Sequence, residues 1–527
     1  MKIRKVVAAT AALAISAVLL AGCGGEQQDP ETLRILAVKH PLTKPMAEME
    51  WVNQIQEATG ATIEWEEVSA DWPEKKATML AAGDVPDLII GGNAITDTDL
   101  ATYSSLFLDL SEHMDAMPNV AAMFEENSRL EALATLPSGE VYSLPSYKRF
   151  WPLAITRMYI NQQWLDNLGL EVPTTWDELF TVLSAFKTED ANGNGDPHDE
   201  IPWDWSPVGT GGFGYFQPSA LLGSTGLPIN NGGGQGYFVE GGEVSNFMVD
   251  ERYRDLVAFL HKAWAAGLIS EQAFTQDYSA YQSVGRGNGD DAAVGFSWGW
   301  TASDRFGAQL APQYTSMAQI EAEAGQDAPV TWRYDDENYT GNHIIVSAES
   351  NNQELALKVV NEFYDQTRSV EVLFGDVGDF VEQTGDNSYR VLPPSDGTSD
   401  PSSWKWTNSL ADAGPFWIRE SIELELPTDV AEAVEQAIPL QPALDNVDPE
   451  ADVYPFKFVK MTAEDLNTLN LNNTNVLAQS MAKFAEWVTQ GGVEEQWDDY
   501  VTQMDGLGMP ENIEIYQRYY DEFVANQ

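Results

Sequence analysis

Cysteine is almost absent from this sequence, because only one of its 527 residues, Cys23, is a cysteine. A chain with one cysteine has no internal disulfide, so packing or a bound metal must stabilise the fold. Basic residues are also scarce, since 28 Lys and Arg stand against 82 Asp and Glu, for a formal net charge of −54. A surface this acidic repels the phosphates of nucleic acids and of anionic lipids. Those partners are therefore excluded, whereas a neutral or cationic ligand is compatible with the composition.

Long apolar runs are missing beyond the first residues of the chain. The run from Val6 to Leu20 follows three basic residues and is too short for the roughly 20 residues that a membrane-spanning helix needs. This order, ending in the small residues Ala21 and Gly22, is typical of an export signal. Because Cys23 follows at once, residues 1–22 resemble a bacterial lipoprotein signal peptide.

The lipoprotein resemblance implies cleavage before Cys23 and acylation of this residue. The lipid would then hold the protein at the extracellular face of the cytoplasmic membrane. Residues 23–31 are polar and contain glycine, so they are interpreted as a flexible tether. The alternative is an ordinary cleaved signal in which the cysteine stands by chance.

About 500 residues remain after such cleavage, which is too many for one hydrophobic core and suits two lobes. Strands alternate with helices in the first part of the chain, which predicts an α/β lobe with a largely parallel sheet covered on both faces. Helical patterns dominate after Trp164. The predicted strands are 33–38, 62–68, 87–90, 292–296 and 344–346, and the main predicted helices are 45–59, 73–82, 175–187, 251–266, 352–366, 475–490 and 513–523.

Several segments are similar to the solute-binding proteins of ABC importers, in the oligosaccharide-binding branch (family 1 type). The segments are Ala82-Gly83-Asp84-Val85-Pro86-Asp87-Leu88-Ile89, Gly139 to Pro145, Met158 to Leu179, and the loop from Asp190 to Pro202. The resemblance implies a periplasmic-binding-protein-like α/β fold, with two lobes joined by hinge crossovers and a ligand cleft between them. It assigns residues 32–152 plus about 292–347 to the N-terminal lobe, and 153–291 plus about 348–527 to the C-terminal lobe.

The same resemblance implies a function without chemistry on the ligand. The chain would be a monomer that closes on an oligosaccharide or similar neutral solute and delivers it to the transmembrane subunits of an ABC permease. No G-x-x-x-x-G-K-[ST] motif occurs, so the ATPase would be another subunit. The alternatives are a receptor of the same fold for a peptide or another small solute, and an exported carbohydrate-active enzyme.

Tryptophans in loops are the candidates for ligand contact among the 17 of this sequence. The apolar face of a sugar ring packs well on an indole, whereas its hydroxyl groups need amides and charged side chains. The alternative for each of these rings is a place in a hydrophobic core. The aromatic candidates are Trp72, Tyr147, Trp151, Trp203, Trp205, Trp298 and Trp300, and the polar candidates are Lys39, His40, Asn93, Asp204 and Asp304.

An oxygen-rich loop follows the predicted helix 175–187. Calcium takes 6–8 oxygen ligands, which the alternate positions of a tight loop can supply. The sequence departs from an EF-hand loop at its twelfth position, which is Ile201, and the alternative is a metal-free turn. The predicted ligands of a structural Ca²⁺ are Asp190, Asn192, Asn194, Asp196, Asp199 and Glu200.

Two further motifs have weaker chemical support. Gly295-Phe296-Ser297-Trp298-Gly299 matches the G-x-S-x-G elbow of hydrolases, with His343 downstream as the candidate base of an esterase. Only 46 residues separate Ser297 from His343, which is cramped for an α/β-hydrolase. The run from Gly209 to Gly214 matches G-x-G-x-x-G, but it follows no predicted strand, so dinucleotide binding is not expected.

Overall fold

The computed structural model describes residues 31–230, 234–287, 289, 291–395 and 404–526. The predicted signal peptide, Cys23 and all but the last residue of the tether lie outside this range. Within the described residues, no helix combines the length and the hydropathy that crossing a membrane requires.

The strands are numbered along the chain. They are β1 (Thr32–Val38), β2 (Thr62–Val68), β3 (Leu88–Ile90), β4 (Leu144–Lys148), β5 (Arg157–Asn161), β6 (Ile201–Trp203), β7 (Tyr237–Glu240), β8 (Glu243–Asn246), β9 (Val294–Gly299), β10 (Tyr314–Ser316), β11 (Tyr339–Val346), β12 (Val381–Gly385), β13 (Ser388–Val391), β14 (Trp417–Ile418) and β15 (Glu423–Glu425).

The α-helices are numbered in the same way, and short 3₁₀ turns lie between them. They are α1 (Glu50–Thr59), α2 (Trp72–Ala82), α3 (Asp97–Tyr103), α4 (Pro118–Glu126), α5 (Ser128–Ala134), α6 (Gln162–Leu168), α7 (Trp176–Thr188), α8 (Glu251–Ala265), α9 (Tyr278–Gly285), α10 (Ala302–Leu310), α11 (Gln353–Phe363), α12 (Gln366–Phe374), α13 (Thr428–Ala437), α14 (Gln441–Leu444), α15 (Ala463–Gln490), α16 (Val493–Gly506) and α17 (Met509–Asn526).

The first lobe is built on a six-stranded sheet with the order β14-β4-β11-β3-β1-β2. β1 runs parallel to both β2 and β3, while β11 is antiparallel to β3 and β4. Apolar side chains such as Leu33 and Ile35 of β1 and Val360 of α11 are fully buried in its core. The parallel arrangement expected from the alternating strands and helices is therefore confirmed for β1, β2 and β3.

The second lobe is built on a four-stranded sheet with the order β10-β5-β9-β6. β9 is antiparallel to β5 and parallel to β6. Helix α7 begins as its sequence predicts, because the Thr175 hydroxyl accepts a hydrogen bond from Glu178 N at 3.2 Å. Its apolar face packs in the large core of this lobe together with α8 and α15.

The boundary between the lobes differs from the sequence-based division. Residues 292–316 were expected in the first lobe, but β9 pairs with β5, with Tyr159 opposite Ser297. Helices α11 and α12 were expected in the second lobe, but they pack in the core of the first. Pairing between β5 and β9 joins residues more than 130 positions apart, so local patterns carry no information about it. The chain crosses between the lobes at 149–156, 333–338 and 426–427.

Candidate ligand-binding cleft

Two tryptophans that follow strands of different lobes lie against each other where the lobes meet. Trp151 follows β4 at the start of the first crossing, and Trp300 directly follows β9 in the second lobe. Their indoles are stacked, with ring centroids 5.1 Å apart and an angle of 21° between the ring planes. Open α/β sheets bind ligands outside the carboxyl ends of their strands. The stack therefore marks a place where a ligand would touch both lobes.

Each indole of this pair also has a cation against it. Lys148 Nζ lies 3.8 Å from the ring centroid of Trp151, and Arg157 Cζ lies 4.5 Å from that of Trp300. Both distances are within the range in which a ring face attracts a positive charge. We refer to Lys148, Trp151, Trp300 and Arg157 as the interlobe stack.

Arg157 has hydrogen-bonding capacity that the described residues do not use. Its side chain is fully buried, and Nη1 donates to Ile155 O at 3.2 Å and to Trp300 O at 2.5 Å. Its Nε and Nη2 have no hydrogen-bond partner in the described part of the chain. Burial lowers the pKa of Arg157 to about 10, so the guanidinium stays charged at neutral pH. Unmet donors of a buried charge are costly, and oxygen atoms of a ligand would satisfy them.

Lys148 shares a carboxylate with a second lysine. Asp412 accepts from Lys148 Nζ at 2.7 Å and from Lys405 Nζ at 3.1 Å. Burial alone would raise the pKa of Asp412, but the two ammonium groups outweigh it and hold this pKa well below its usual range. Burial also lowers the pKa of Lys148, despite the attraction of Asp412. Two cations around one carboxylate make this edge of the cleft locally positive in a strongly acidic protein.

The aromatic surface continues beyond the interlobe stack. Lys405 Nζ lies 5.9 Å from the ring of Trp151 and 5.8 Å from that of Trp406. The Trp406 ring in turn lies 4.8 Å from His40, which follows β1. Asn93 is exposed in the loop after β3, so the structure places two of the predicted polar residues, His40 and Asn93, at strand ends on this side of the first lobe.

Three predicted tryptophans lie in the core of the second lobe instead. Trp203, Trp205 and Trp298 are all 0 % exposed, and the ring of Trp203 lies 5.6 Å from that of Trp205 and 5.8 Å from that of Trp298. They pack there because β6 and β9 are neighbouring strands whose side chains face the same core. The expectation that these rings contact the ligand is wrong for this conformation.

The two predicted carboxylates of the second lobe have other partners. Asp204 is 0 % exposed and pairs with Arg305 at 2.8 Å, while it also accepts from Gln276 Nε2 at 2.9 Å. Burial raises the pKa of Asp204, although Arg305 opposes the shift. Asp304 lies in the first turn of α10 and accepts from Gln282 Nε2 at 3.4 Å. The buried Asp204 is therefore a structural group rather than a ligand contact.

Two predicted residues of the first lobe stabilise its loops. Lys39 Nζ donates to the carbonyls of Thr43 and Lys44 at 2.9 and 2.8 Å, and it also pairs with Glu67. Trp72 Nε1 donates to Ala94 O at 2.8 Å, which ties α2 to the loop after β3.

Tyr147 also has partners within the protein. Its hydroxyl donates to Glu420 at 2.8 Å, and its ring lies 4.9 Å from that of Tyr339. The side chain is buried, so Tyr147 supports β4 and the neighbouring β11 rather than presenting a free ring.

A cavity of about 740 Å³ opens between the two lobes. At its wall Lys460 Nζ donates to both carboxylate oxygens of Asp97, at 3.0 and 2.9 Å. Asn342 of β11 also donates to Asp97, at 2.8 Å. Ligand pockets usually measure about 300 to 1,000 Å³, so this space is large enough for a small ligand. Its lining includes Asp97 and Ser138 of the first lobe, and Gln235, Asn473 and Tyr516 of the second.

The oxygen-rich loop after α7 is wrapped around its own side chains. Asp190 Oδ2 accepts from Gly195 N at 2.9 Å, and Glu200 Oε1 accepts from Ala191 N at 2.9 Å. The other carboxylate oxygen of each, Asp190 Oδ1 and Glu200 Oε2, is buried without a partner among the described residues. Burial raises the pKa of Glu200. Two unmet carboxylate oxygens facing one small loop fit a hard cation.

The remaining predicted ligands make hydrogen bonds within the loop. The side-chain amides of Asn192 and Asn194 donate to Asp199 at 3.1 and 2.7 Å, and Asp196 accepts from His198 N at 3.2 Å. In the described part of the chain, no cluster of three or more His, Cys, Asp or Glu side chains is placed to hold a metal. A cation here would therefore depend on amide and backbone oxygens beside the carboxylates.

The hydrolase motif does not form a catalytic arrangement. Ser297 lies inside β9 and is 0 % exposed, and its hydroxyl accepts from Arg305 Nε at 3.2 Å. His343 lies in β11 of the other lobe, where Nε2 contacts the Thr340 hydroxyl at 2.9 Å. Because the two residues belong to different sheets, an esterase site at Ser297 is ruled out in this conformation. The segment from Gly209 to Gly214 is a loop in which Phe213 N donates to Gly234 O at 2.8 Å.

Five residues at or beside the interlobe stack were not predicted from the sequence: Lys148, Arg157, Lys405, Trp406 and Asp412. A signal for Arg157 was present, because a charged residue stands at the start of the otherwise apolar run 157–160. Trp406 belongs to a Trp-x-Trp pair with Trp404, the same spacing as in Trp298 and Trp300. Little in the local sequence distinguishes Asp412 among 82 acidic residues, since its contact with Lys148 joins residues 264 positions apart.

Comparison with known proteins gives one consistent family. Residues 42–366 match the family model described as bacterial extracellular solute-binding protein. The fructooligosaccharide ABC transporter substrate-binding protein FusA of Streptococcus pneumoniae is 27% identical over 525 residues, which cover 95% of this chain and 92% of FusA.

Solved structures agree with that match over nearly the whole chain. An HMO-binding, ABC-transporter-associated solute-binding protein from Bifidobacterium longum infantis is 33% identical, with a TM-score of 0.88 over 94% of this chain and 99% of that one. The structure of FusA with kestose has a TM-score of 0.78 at 26% identity, over 94% of this chain and 100% of that one. A further FusA structure is described as an EF-hand mutant in complex with fructo-nystose. The expected two-lobe, periplasmic-binding-protein-like fold is thereby confirmed.

Proposed function

The chain belongs to the family of bacterial extracellular solute-binding proteins, and from this premise we propose that it binds an oligosaccharide between its lobes and delivers it to an ABC permease. The interlobe stack is the observation that carries the choice of ligand. In this conformation the two indoles cover each other. When the lobes separate, they would offer flat apolar faces to sugar rings, and Arg157 would offer two unused donors to sugar oxygens. The relatives described as binding fructooligosaccharides, kestose and HMO support the same class of ligand.

Binding would act through closure of the hinge. Trp151 lies on the first crossing and Trp300 in the second lobe, so a ligand held by both rings makes its full contacts only in one arrangement of the lobes. A ligand shifts a conformational equilibrium by its difference in affinity for the two states. The permease would then recognise the closed form, and no covalent bond of the sugar changes.

We place the mature protein at the extracellular face of the cytoplasmic membrane, anchored through lipid on Cys23. The support is the order of basic, apolar and small residues in 1–22 followed by cysteine. Two acyl chains are sufficient for stable membrane attachment. A protein that works as a monomer beside its permease needs no other anchor.

A structural calcium ion belongs to this proposal. Asp190, Asn192, Asn194 and Glu200 would supply side-chain oxygens, and Asp196 its backbone carbonyl. The unmet oxygens Asp190 Oδ1 and Glu200 Oε2 support it. The ion would hold the loop between α7 and β6 and take no part in sugar recognition.

A thermal-shift screen followed by calorimetry tests the proposal. The panel contains kestose, longer fructooligosaccharides, an HMO mixture and neutral tripeptides and pentapeptides. We expect at least one sugar and no peptide to raise the Tm, because a ligand that binds only the folded state stabilises it. Stabilisation by peptides alone would replace the oligosaccharide assignment with that of a peptide receptor.

A further inference from the structure

The third crossing between the lobes ends in a helix that is docked beside the ligand-binding cleft. β15 of the first lobe ends at Glu425, and α13 begins at Thr428 after Pro427. The residues after α13 pack in the core of the second lobe, with Leu440 fully buried there. The span free to absorb a change of angle is thus 426–427, and α13 moves with the second lobe.

Two side chains of α13 complete the amino end of α10. The first N–H groups of a helix have no partner within the helix. Gln436 Oε1 accepts from Ala302 N at 2.9 Å, and Glu432 Oε1 accepts from Ser303 N at 3.0 Å. Gln436 Nε2 also donates to Glu432, at 2.9 Å, which fixes the amide so that its oxygen faces α10.

The same amide is connected to Trp300. The Tyr159 hydroxyl of β5 donates to Gln436 Oε1 at 2.7 Å and lies 3.3 Å from Trp300 O. Burial raises the pKa of Tyr159, so this hydroxyl remains a donor at all physiological pH values. Trp300 is separated from α10 only by Thr301, the residue that caps this helix. Its backbone is therefore held from two sides, by Tyr159 with Arg157 and by the fixed start of α10.

We propose that Gln436 is a positioning residue for Trp300, so that the third crossing sets the geometry of the ligand-binding indole. This inference rests on the proposed function, because it assigns Gln436 a role in the same site. Gln436 does not touch the ligand. It holds the segment 300–303 in the place that lets Trp300 meet Trp151 and the sugar.

A double-mutant cycle on sugar affinity tests this role. Gln436→Met keeps the length of the side chain but removes the acceptor, and we expect it to weaken binding about tenfold in the wild-type background. In the Trp300→Ala background the same change should have no further effect, because the ring that it positions is gone. Glu435→Ala is the matched control, since Glu435 is exposed on the same helix, and it should leave the affinity unchanged.

The outcomes separate this inference from the function on which it rests. Equal losses from Gln436→Met in both backgrounds would mean a general effect on the fold and would overturn the inference alone. Failure of the wild-type protein to bind any sugar of the panel would overturn the proposed function and the inference with it. If Gln436→Met does not fold, Tyr159→Phe removes one hydroxyl from the same connection and is put through the same cycle, with the same two readings.

Discussion

The indole of Trp151 stacks on the indole of Trp300, across the boundary between the two lobes. Trp151 is bound to the first lobe through Lys148 and the lysine–Asp412 cluster, whereas Trp300 follows β9 of the second lobe. A change in the angle between the lobes therefore alters the separation of these rings. The stack is therefore the candidate sugar contact, and the distance between its two rings depends on how far the lobes are closed.

Replacing either ring should weaken sugar binding. We expect Trp300→Ala and Trp151→Ala each to lower the affinity about tenfold, because an aromatic contact contributes about 0.5 to 1.5 kcal/mol beyond its buried area. Isothermal titration calorimetry measures the change. Trp264→Phe is the control, since Trp264 packs on Phe274 in the second lobe away from the stack. Unchanged affinity in both alanine variants would remove the stack from the ligand site.

Asp204 separates the structural account from the sequence-based one. If Asp204 contacted the ligand, Asp204→Asn would lower the affinity for the sugar and leave the free energy of unfolding unchanged. The structure predicts instead that Asp204→Asn destabilises the protein, because Arg305 would lose its buried partner. The expected loss is about 3 to 5 kcal/mol in the free energy of unfolding. Urea unfolding monitored by circular dichroism measures this cost. A variant as stable as the wild type would contradict the assignment.

The sequence predicted the fold better than the site, for a physical reason. Periodicity and capping are local, so β1, β2 and the start of α7 lie where they were expected. Burial of a ring depends on which strands become neighbours, and nothing near Trp203 indicates that β6 will lie beside β9.

Charged partners are still more distant in sequence. Asp204 meets Arg305 after 101 residues, and Lys148 meets Asp412 after 264. From the sequence, Trp203 and the neighbouring Asp204 were therefore interpreted as a sugar site, although both side chains are buried in the second lobe.

Stability should fall between about pH 6.5 and pH 4 through His343. This side chain is 2 % exposed, and burial, with a smaller contribution from Lys148, lowers its pKa from 6.5 to about 4. In that interval the imidazole is protonated in the unfolded chain but stays neutral in the folded protein. The free energy of unfolding therefore decreases as the pH falls, by about 3 kcal/mol in total. Below pH 4 both states are protonated and this contribution no longer changes.

The difference between wild type and His343→Asn isolates that contribution from the titration of the many carboxylates. We expect the variant to show a smaller loss of stability between pH 6.5 and pH 4 in urea titrations at fixed ionic strength. His198→Asn is the matched control, since His198 is exposed. Identical pH profiles for wild type and His343→Asn would show that His343 is protonated equally in both states.

Calcium should stabilise the protein through the loop between α7 and β6. Burying Asp190 Oδ1 and Glu200 Oε2 without a partner costs free energy, and only a bound cation or a proton removes this cost. At neutral pH a divalent cation is the better partner for two carboxylates. A free calcium concentration of about 100 times the Kd adds about 2.7 kcal/mol to the free energy of unfolding, so the Tm should rise with calcium and fall again with EDTA.

Asp190→Asn should abolish this response, whereas Glu189→Gln, which removes the same charge from the exposed residue just before the loop, should keep it. Sugar affinity at saturating calcium should be the same in both variants, because the loop contains no residue of the interlobe stack. A calcium response that survives in Asp190→Asn would place the ion elsewhere, and a wild-type Tm indifferent to both calcium and EDTA would leave the loop as a metal-free turn held by Asp199 and its two asparagine donors.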